Sequence, residues 1–282
     1  MLKDRIVTAL VLLTIFFLTL MASSPVYFGL LTLLFVAIAA WEWGRLSGYL
    51  EGMSCALALA VMLVCSFLWC FGWVERIPAK CWFFTAAIWL FVALWLLKGG
   101  TGRWLTLPAQ ARWVLGAVIL SVAWCALWVS KLQSNNFLLS VLFLVWMSDT
   151  GAYFVGRRFG RHKLAPSISP GKSWEGAWGG VITVILLSGI WVAFDLYTGS
   201  VDRHASIFTR LTLNGGVVLM FLTVAFMAIV GILGDLTESL MKRSVGLKDS
   251  GNVLPGHGGV LDRVDALLPV LPLAAGFMRL LS

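Results

Sequence analysis

Charge is what this chain has least of. Asp, Glu, Lys and Arg supply 12% of its 282 residues and hydrophobic residues supply 60%. That ratio excludes a water-soluble globular domain, in which about a quarter of the residues are charged. Three histidines are present, with no HExxH helix and no GxGxxG turn after a strand, so common zinc-hydrolase and dinucleotide-binding patterns drop out. The five cysteines, Cys55, Cys65, Cys70, Cys81 and Cys125, lie inside or at the ends of apolar runs, without C-x-x-C pairing or ligand-like spacing to histidine. They are expected to be small core residues, neither disulfides nor a zinc site. No repeat and no Pro- or Ser-rich linker divides the chain, and a single membrane domain over residues 1–282 is expected.

What the chain has in abundance is apolar runs. A helix that crosses the hydrocarbon core needs about 20 predominantly apolar residues. Such runs occur at roughly 5–22, 26–46, 52–73, 81–97, 111–131, 136–156, 176–197, 212–241 and 265–281. The fold class expected is therefore an all-α polytopic integral membrane protein of about nine transmembrane helices. The first run follows Lys3 and Arg5 and resembles a signal peptide, but reads as an uncleaved span. Under the nine-span reading fifteen Lys and Arg fall on one side and six on the other. Cations accumulate in cytoplasmic loops, so the fifteen mark the cytoplasmic face and the C-terminus lies outside. The formal net charge of +8 is explained by topology and anionic headgroups and implies no nucleic-acid partner.

Polar residues are distributed unevenly. Residues 1–145 read as mainly apolar, Trp- and Leu-rich scaffold spans, and residues 146–282 as the catalytic half. Three clusters break the second half: "SDTGAYFVGRRFGRHKLAPSISPGKSWEG" from Ser148, "GDLTESLMKR" from Gly234, and "KDSGNVLPGHGGVLDRVD" from Lys248. Span counting puts all three on the cytoplasmic face. Asp235, Glu238, Ser239 and Lys242 fall at i, i+3, i+4 and i+7, on one helical face. Asp262 and Asp265 are three apart at the start of the last run. Asp195 and Asp202 are assigned to the outer side, where substitution should be tolerated, and His162 and His204 to the surface.

An ionised Asp at the bilayer centre costs about 2.5–3.5 kcal/mol on insertion scales unless it faces a cavity, a cation or a partner. Asp149, Asp235 and Asp262 should therefore point away from lipid. Ion pairs with Lys242, Arg243 and Arg263, or helix capping, would be one use for them. A second is Mg²⁺, which takes one or two carboxylates plus substrate phosphates. Lys and Arg would then neutralise the remaining phosphate charge, and glycine-rich backbone could approach phosphate oxygens. The alternative is that Gly251, Gly256, Gly258 and Gly259 only make a tight re-entrant turn. Gly171-Lys172-Ser173 looks like the end of a P-loop, but the earlier glycine of that motif would be residue 166, which is Pro.

The stretch "SLMKRSVGLKDSGNVLPGHGGVLDRVD", residues 239–265, resembles throughout its length the signature of the phosphatidate cytidylyltransferase (CDP-diacylglycerol synthase) family. "GDLTES", "WMSDTGAYFVGRRFGRHKLAPSISPGKSWEG" and, more faintly, "AAWEWGRLSG" extend the likeness. The resemblance implies CTP and phosphatidate as substrates, CDP-diacylglycerol and pyrophosphate as products, Mg²⁺ as cofactor, a homodimer, and residence in the bacterial inner membrane with the site facing the cytoplasm. It also implies roles. Asp235 and Asp262 would bind the metal, with Asp149, Asp249 and Asp265 as nearby ligands or orienters. Lys172, Lys242, Arg243, Lys248 and Arg263 would hold the triphosphate and the lipid phosphate. Ser169, Ser239, His257 and the main chain of Gly258 and Gly259 would hydrogen-bond phosphate. Another lipid-linked nucleotidyl- or phosphotransferase and an ion-coupled transporter are the alternative functions. The transporter fits worse, because the charge lies late in the chain and at one face.

Overall fold

The computed structural model describes residues 2–201 and 204–281, with the side chains of residues 2–5 outside the description. Its long helices are α1 (Leu2–Met21), α2 (Val26–Leu46), α3 (Glu51–Cys70) and α4 (Ala79–Gly99). After a short α5 (Arg103–Thr106) come α6 (Ala109–Gln133), α7 (Asn135–Phe159), α8 (Trp174–Thr198) and α9 (Ile207–Ser244). A short α10 (Leu261–Val264) and α11 (Leu267–Leu280) close the chain.

All nine apolar segments read from the sequence fall on helices. Among the described residues seven of these, α2, α3, α4, α6, α7, α8 and α9, are long and apolar enough to cross a membrane. The apolar part of α1, Ile6–Met21, and α11 are shorter. The protein is thus an integral membrane protein, mostly α-helical. Among the described residues β1 (Lys163–Ala165) and β2 (Ser169–Ser173) form an antiparallel hairpin, pairing Lys163 with Ser173 and Ala165 with Ser169. It is formed by part of the polar cluster that begins at Ser148.

Helix ends follow local chemistry. Ser134, Ser173 and Ser206 cap α7, α8 and α9 by accepting hydrogen bonds from the Phe137, Gly176 and Thr209 amides at 3.0, 3.1 and 3.2 Å. Within α9, Gly216 leaves helical geometry at φ 78° and ψ 169°, a region open to glycine, so that span is two helical pieces.

Packing explains the tryptophans. Trp82, Trp104 and Trp124 are fully buried, and indole N–H groups reach partners on other helices: Trp104 donates to the Leu46 carbonyl at 2.8 Å and Trp43 to that of Arg112 at 2.9 Å. The perimeter is apolar, with Phe91, Ile190 and Phe194 turned outward toward lipid. Cys65 and Cys125 are core residues as expected, whereas Cys55, Cys70 and Cys81 lie on that perimeter. Small residues bring backbones together where the polar end is built. A Cβ on Gly180 of α8 would stand 2.5 Å from the Ser148 carbonyl of α7, and one on Gly234 of α9 would stand 2.7 Å from the Asp265 carbonyl. The second approach sets Asp265 beside the α9 turn that carries Asp235. The C-terminal α11 packs on α4, α6 and α9.

Candidate active site

The end of α7, the hairpin, the start of α8, the end of α9 and residues 262–265 surround a cleft of about 670 Å³. Three sequence clusters that span counting put on one face are thereby brought to one place. Asp149, Ser169, Lys172, Asp235, Lys242, Asp262, Arg263 and Asp265 all line it.

The hairpin delivers Lys172. Its base is held by Glu175, which accepts from the backbone amides of Arg161 and His162 at 3.1 and 3.2 Å and contacts His162 Nδ1 at 2.6 Å. Lys172 Nζ then lies 2.5 Å from Asp235 Oδ2 on α9. Asp235 also accepts from Ser239 Oγ at 3.3 Å, one turn on. Lys242, a turn further, reaches Glu238 Oε2 at 2.5 Å and Asp262 Oδ1 at 2.6 Å. The face read from i, i+3, i+4 and i+7 spacing therefore exists, and Lys242 bridges Glu238 on it to Asp262 of α10.

Asp262 is a carboxylate with three donors around it. Besides Lys242 it accepts from the Gly259 amide at 2.8 Å and the Ser250 amide at 3.0 Å. Burial raises its pKa, but Lys242 and the two amides outweigh burial and hold the carboxyl below its ordinary value, so it stays ionised.

The remaining residues singled out from the sequence stand apart from the cleft lining. Arg243 donates to the carbonyls of Ile168 and Leu247 at 3.3 and 3.0 Å, tying the hairpin to the loop after α9. Lys248 and Asp249 are exposed on that loop. The carbonyl of His257 accepts from the Arg263 guanidinium, and the His257 amide donates to Leu254. Gly256 and Gly258 take positive φ of 74° and 85° in a tight turn, and the amide of Gly259 is held by Asp262.

The acids fit a hard divalent cation. Asp235 is within Coulombic reach of both Asp149 and Asp265, and Lys172 is the cation common to all three. No group of three His, Cys, Asp or Glu converges as a metal cage among the described residues. Mg²⁺ does not ask for one, because it completes its octahedron with water and substrate phosphate.

A polar cleft at one end of an apolar bundle, lined by acids and lysines, is what a lipid-linked phosphate reaction needs, and sequence comparison says which. The family model described as the cytidylyltransferase family matches residues 3–281. The chain belongs to the cytidylyltransferase family. Phosphatidate cytidylyltransferase of Pseudomonas aeruginosa is 37% identical over 284 residues, covering 99% of this chain and 97% of that protein. The Haemophilus influenzae protein of the same name is 34% identical over 299 residues, covering 98% of each. That of Bacillus subtilis is 40% identical over 139 residues, 49% of this chain and 46% of that one.

Three residues in or behind this cytidylyltransferase-family cleft were not singled out from the sequence. Tyr153 and Arg157 line the cleft and bond one another at 3.0 Å; their i, i+4 spacing beyond Asp149 was the available signal. Glu42 of α2 is wholly buried and accepts from Ser250 Oγ, the Val260 amide and the Leu261 amide at 3.0, 3.1 and 2.7 Å. Its fainter signal was a lone acid inside "AAWEWGRLSG". Asp195 needs correcting. It is 1% exposed and accepts from Asn136 Nδ2, the Ser206 amide and Thr209 Oγ1 at 2.9, 3.0 and 2.7 Å, so it is a buried hub joining α7, α8 and α9. Asp202 lies outside the described residues. His162 and His204 are exposed, as expected.

Proposed function

We propose that the cleft holds the phosphate of phosphatidate beside the triphosphate of CTP and transfers CMP between them, in the service of phospholipid biosynthesis. The protein is a nucleotidyltransferase. A phosphatidate oxygen attacks the α-phosphorus of CTP, the new P–O bond forms, the α–β bridging P–O bond breaks, and pyrophosphate leaves. The attacking oxygen is already anionic, so general-base help is a minor need. The main obstacle is repulsion between two polyanions, which positioned cations and carboxylate-held metal relieve.

Supporting this reading is one observation above others: acids and lysines from three separated segments face a single cleft. Lys172 and Arg263 line the cleft and would pair with phosphate oxygens, and displacing Lys172 from Asp235 would free both partners for substrate and metal. Asp235 would hold Mg²⁺ with Asp265 or Asp262, and Asp149 would orient the shell. When bound, Mg²⁺ supplies Lewis-acid neutralisation of the phosphates. Lys242 stays with Glu238 and Asp262 and keeps the latter aimed at the cleft. The roles assigned to Arg243, Lys248, Asp249, His257, Gly258 and Gly259 require the loop to close over substrate.

The same reading places nine spans in a bacterial inner membrane with the cleft toward the cytoplasm, on the strength of the cation bias and the bacterial relatives. It divides the chain near residue 146 into scaffold and catalytic halves. A homodimer belongs to it as well, supported by family resemblance alone.

The experiment is to give purified protein phosphatidate, Mg²⁺ and CTP labelled at either the α- or the γ-phosphate. Label from the α-position should pass into the organic phase, and label from the γ-position should remain in water as pyrophosphate. Label passing from the γ-position into lipid would identify a phosphotransferase instead.

A further inference from the structure

Glu42 sits in the part of the chain that otherwise builds apolar walls, yet its carboxylate is the centre of the signature loop. Both oxygens are engaged. Oε2 accepts from the Leu261 amide and Ser250 Oγ, and Oε1 accepts from the Val260 amide. These donors flank Asp262: Ser250 is the residue whose amide bonds Asp262 from one side, and Val260 and Leu261 lead into it from the other. Two glycines make room for the acid. A Cβ on Gly259 would stand 2.5 Å from Glu42 Oε1 and would also strike Ser250 Oγ, while one on Gly251 would strike Glu42 Oε1. A wholly buried carboxylate is costly unless its lone pairs are filled. Here three donors fill them, all from one loop more than two hundred residues away in sequence.

We infer that Glu42 is a positioning residue for the transfer reaction: it clamps residues 250–261 so that Asp262 is held at the cleft next to Lys242. The inference rests on the reading that Asp262 serves the cleft. It goes beyond that reading by assigning a role in catalysis to the first half of the chain, and by explaining Gly251 and Gly259 as space for a carboxylate. The side chain touches no substrate. Its effect travels through the Val260 and Leu261 amides and the Ser250 side chain.

Glu42→Gln is the sharp test. Gln keeps one acceptor oxygen and turns an NH₂ group toward a donor, so at least one loop N–H or O–H is left facing another donor. In full-length protein in detergent micelles we expect kcat to fall at least tenfold, KM for CTP and for phosphatidate to change less than threefold, and the Val260 and Leu261 amides to lose hydrogen-exchange protection. Glu51→Gln, an exposed acid at the start of α3, is the control and should leave all of these unchanged.

Gly251→Ala crowds the same carboxylate from the other side without altering its chemistry, and Ser250→Ala removes one donor. Both should reproduce the kcat loss and the lost protection in weaker form, and they decide the matter if Glu42→Gln fails to fold. Lost protection with unchanged kcat overturns the proposal, because Glu42 would then be purely structural. Reduced kcat with full protection overturns it too, because the effect would not run through the loop. An inactive Asp262→Asn beside a fully active Glu42→Gln rejects the clamp alone, whereas an active Asp262→Asn rejects the site assignment with it.

Discussion

Lys172 Nζ stands 2.5 Å from Asp235 Oδ2, and this pair joins the hairpin to α9 across the cleft. Both side chains are about a quarter exposed, so each is open to exchange with substrate or metal. Lys242 forms the contrasting pair. Its side chain is 11% exposed and its ammonium sits between Glu238 and Asp262, whose side chains are 3% and 9% exposed.

That contrast separates the two lysines by experiment. Lys172→Met should lower kcat/KM by about 10²-fold or more, equivalent to roughly 2.7 kcal/mol of lost transition-state stabilisation, with little change in thermal stability. Lys242→Met should instead destabilise the fold by about 3–5 kcal/mol, because it leaves two buried acids uncompensated. Differential scanning fluorimetry in micelles, run beside steady-state kinetics, checks both.

Asp195 supplies a stability test far from the chemistry. Asp195→Ala strips three donors, one on α7 and two at the start of α9, of their acceptor and should cost about 1–3 kcal/mol for each left buried without a replacement partner. The folded fraction should keep wild-type KM values. A melting temperature equal to wild type would show that Asp195 is no hub.

Metal dependence is the outcome expected if the acids around Asp235 hold Mg²⁺. Activity should vanish in chelator and return with Mg²⁺, and Asp235→Asn should need markedly more Mg²⁺ for half-maximal rate while KM for CTP at saturating metal changes less. Titration of the rate with Mg²⁺ at fixed CTP measures this. An unshifted Mg²⁺ requirement would move the metal away from Asp235.

Sidedness can be read chemically. In a cysteine-free background, single cysteines at Ser167 in the hairpin and Val253 in the loop should be modified by membrane-impermeant reagents from the same face, and one at Gly199 from the opposite face. Ser167 and Val253 labelled from opposite faces would be incompatible with a shared cleft.

Much of this was legible in the sequence, for identifiable reasons. Long apolar runs announce helices because nothing else satisfies backbone groups in lipid. The α9 face was legible because helical spacing is local, and Glu238 and Lys242 do meet. Gathering of Asp149, Lys172, Asp235 and Asp262 could be argued from sidedness without knowing a single contact. Other features depended on partners distant in the chain. Glu42 finds its donors more than two hundred residues on, and the partners of Asp195 come from residues 136, 206 and 209. From the sequence the one was merely an acid in an apolar wall and the other a charge at a span end. The hairpin was hidden because its strands are short and paired only with each other, and the second is rich in Ser, Pro and Gly.

Whether this cleft carries out cytidylyl transfer is decided by the transfer of α-phosphate label from CTP into chloroform-soluble lipid by equal amounts of folded wild type, Lys172→Met and Asp235→Asn. Wild type should label lipid rapidly and only with phosphatidate present, and each variant should do so at least a hundredfold more slowly. Equal labelling by all three would contradict transfer in this cleft and place the chemistry elsewhere in the protein.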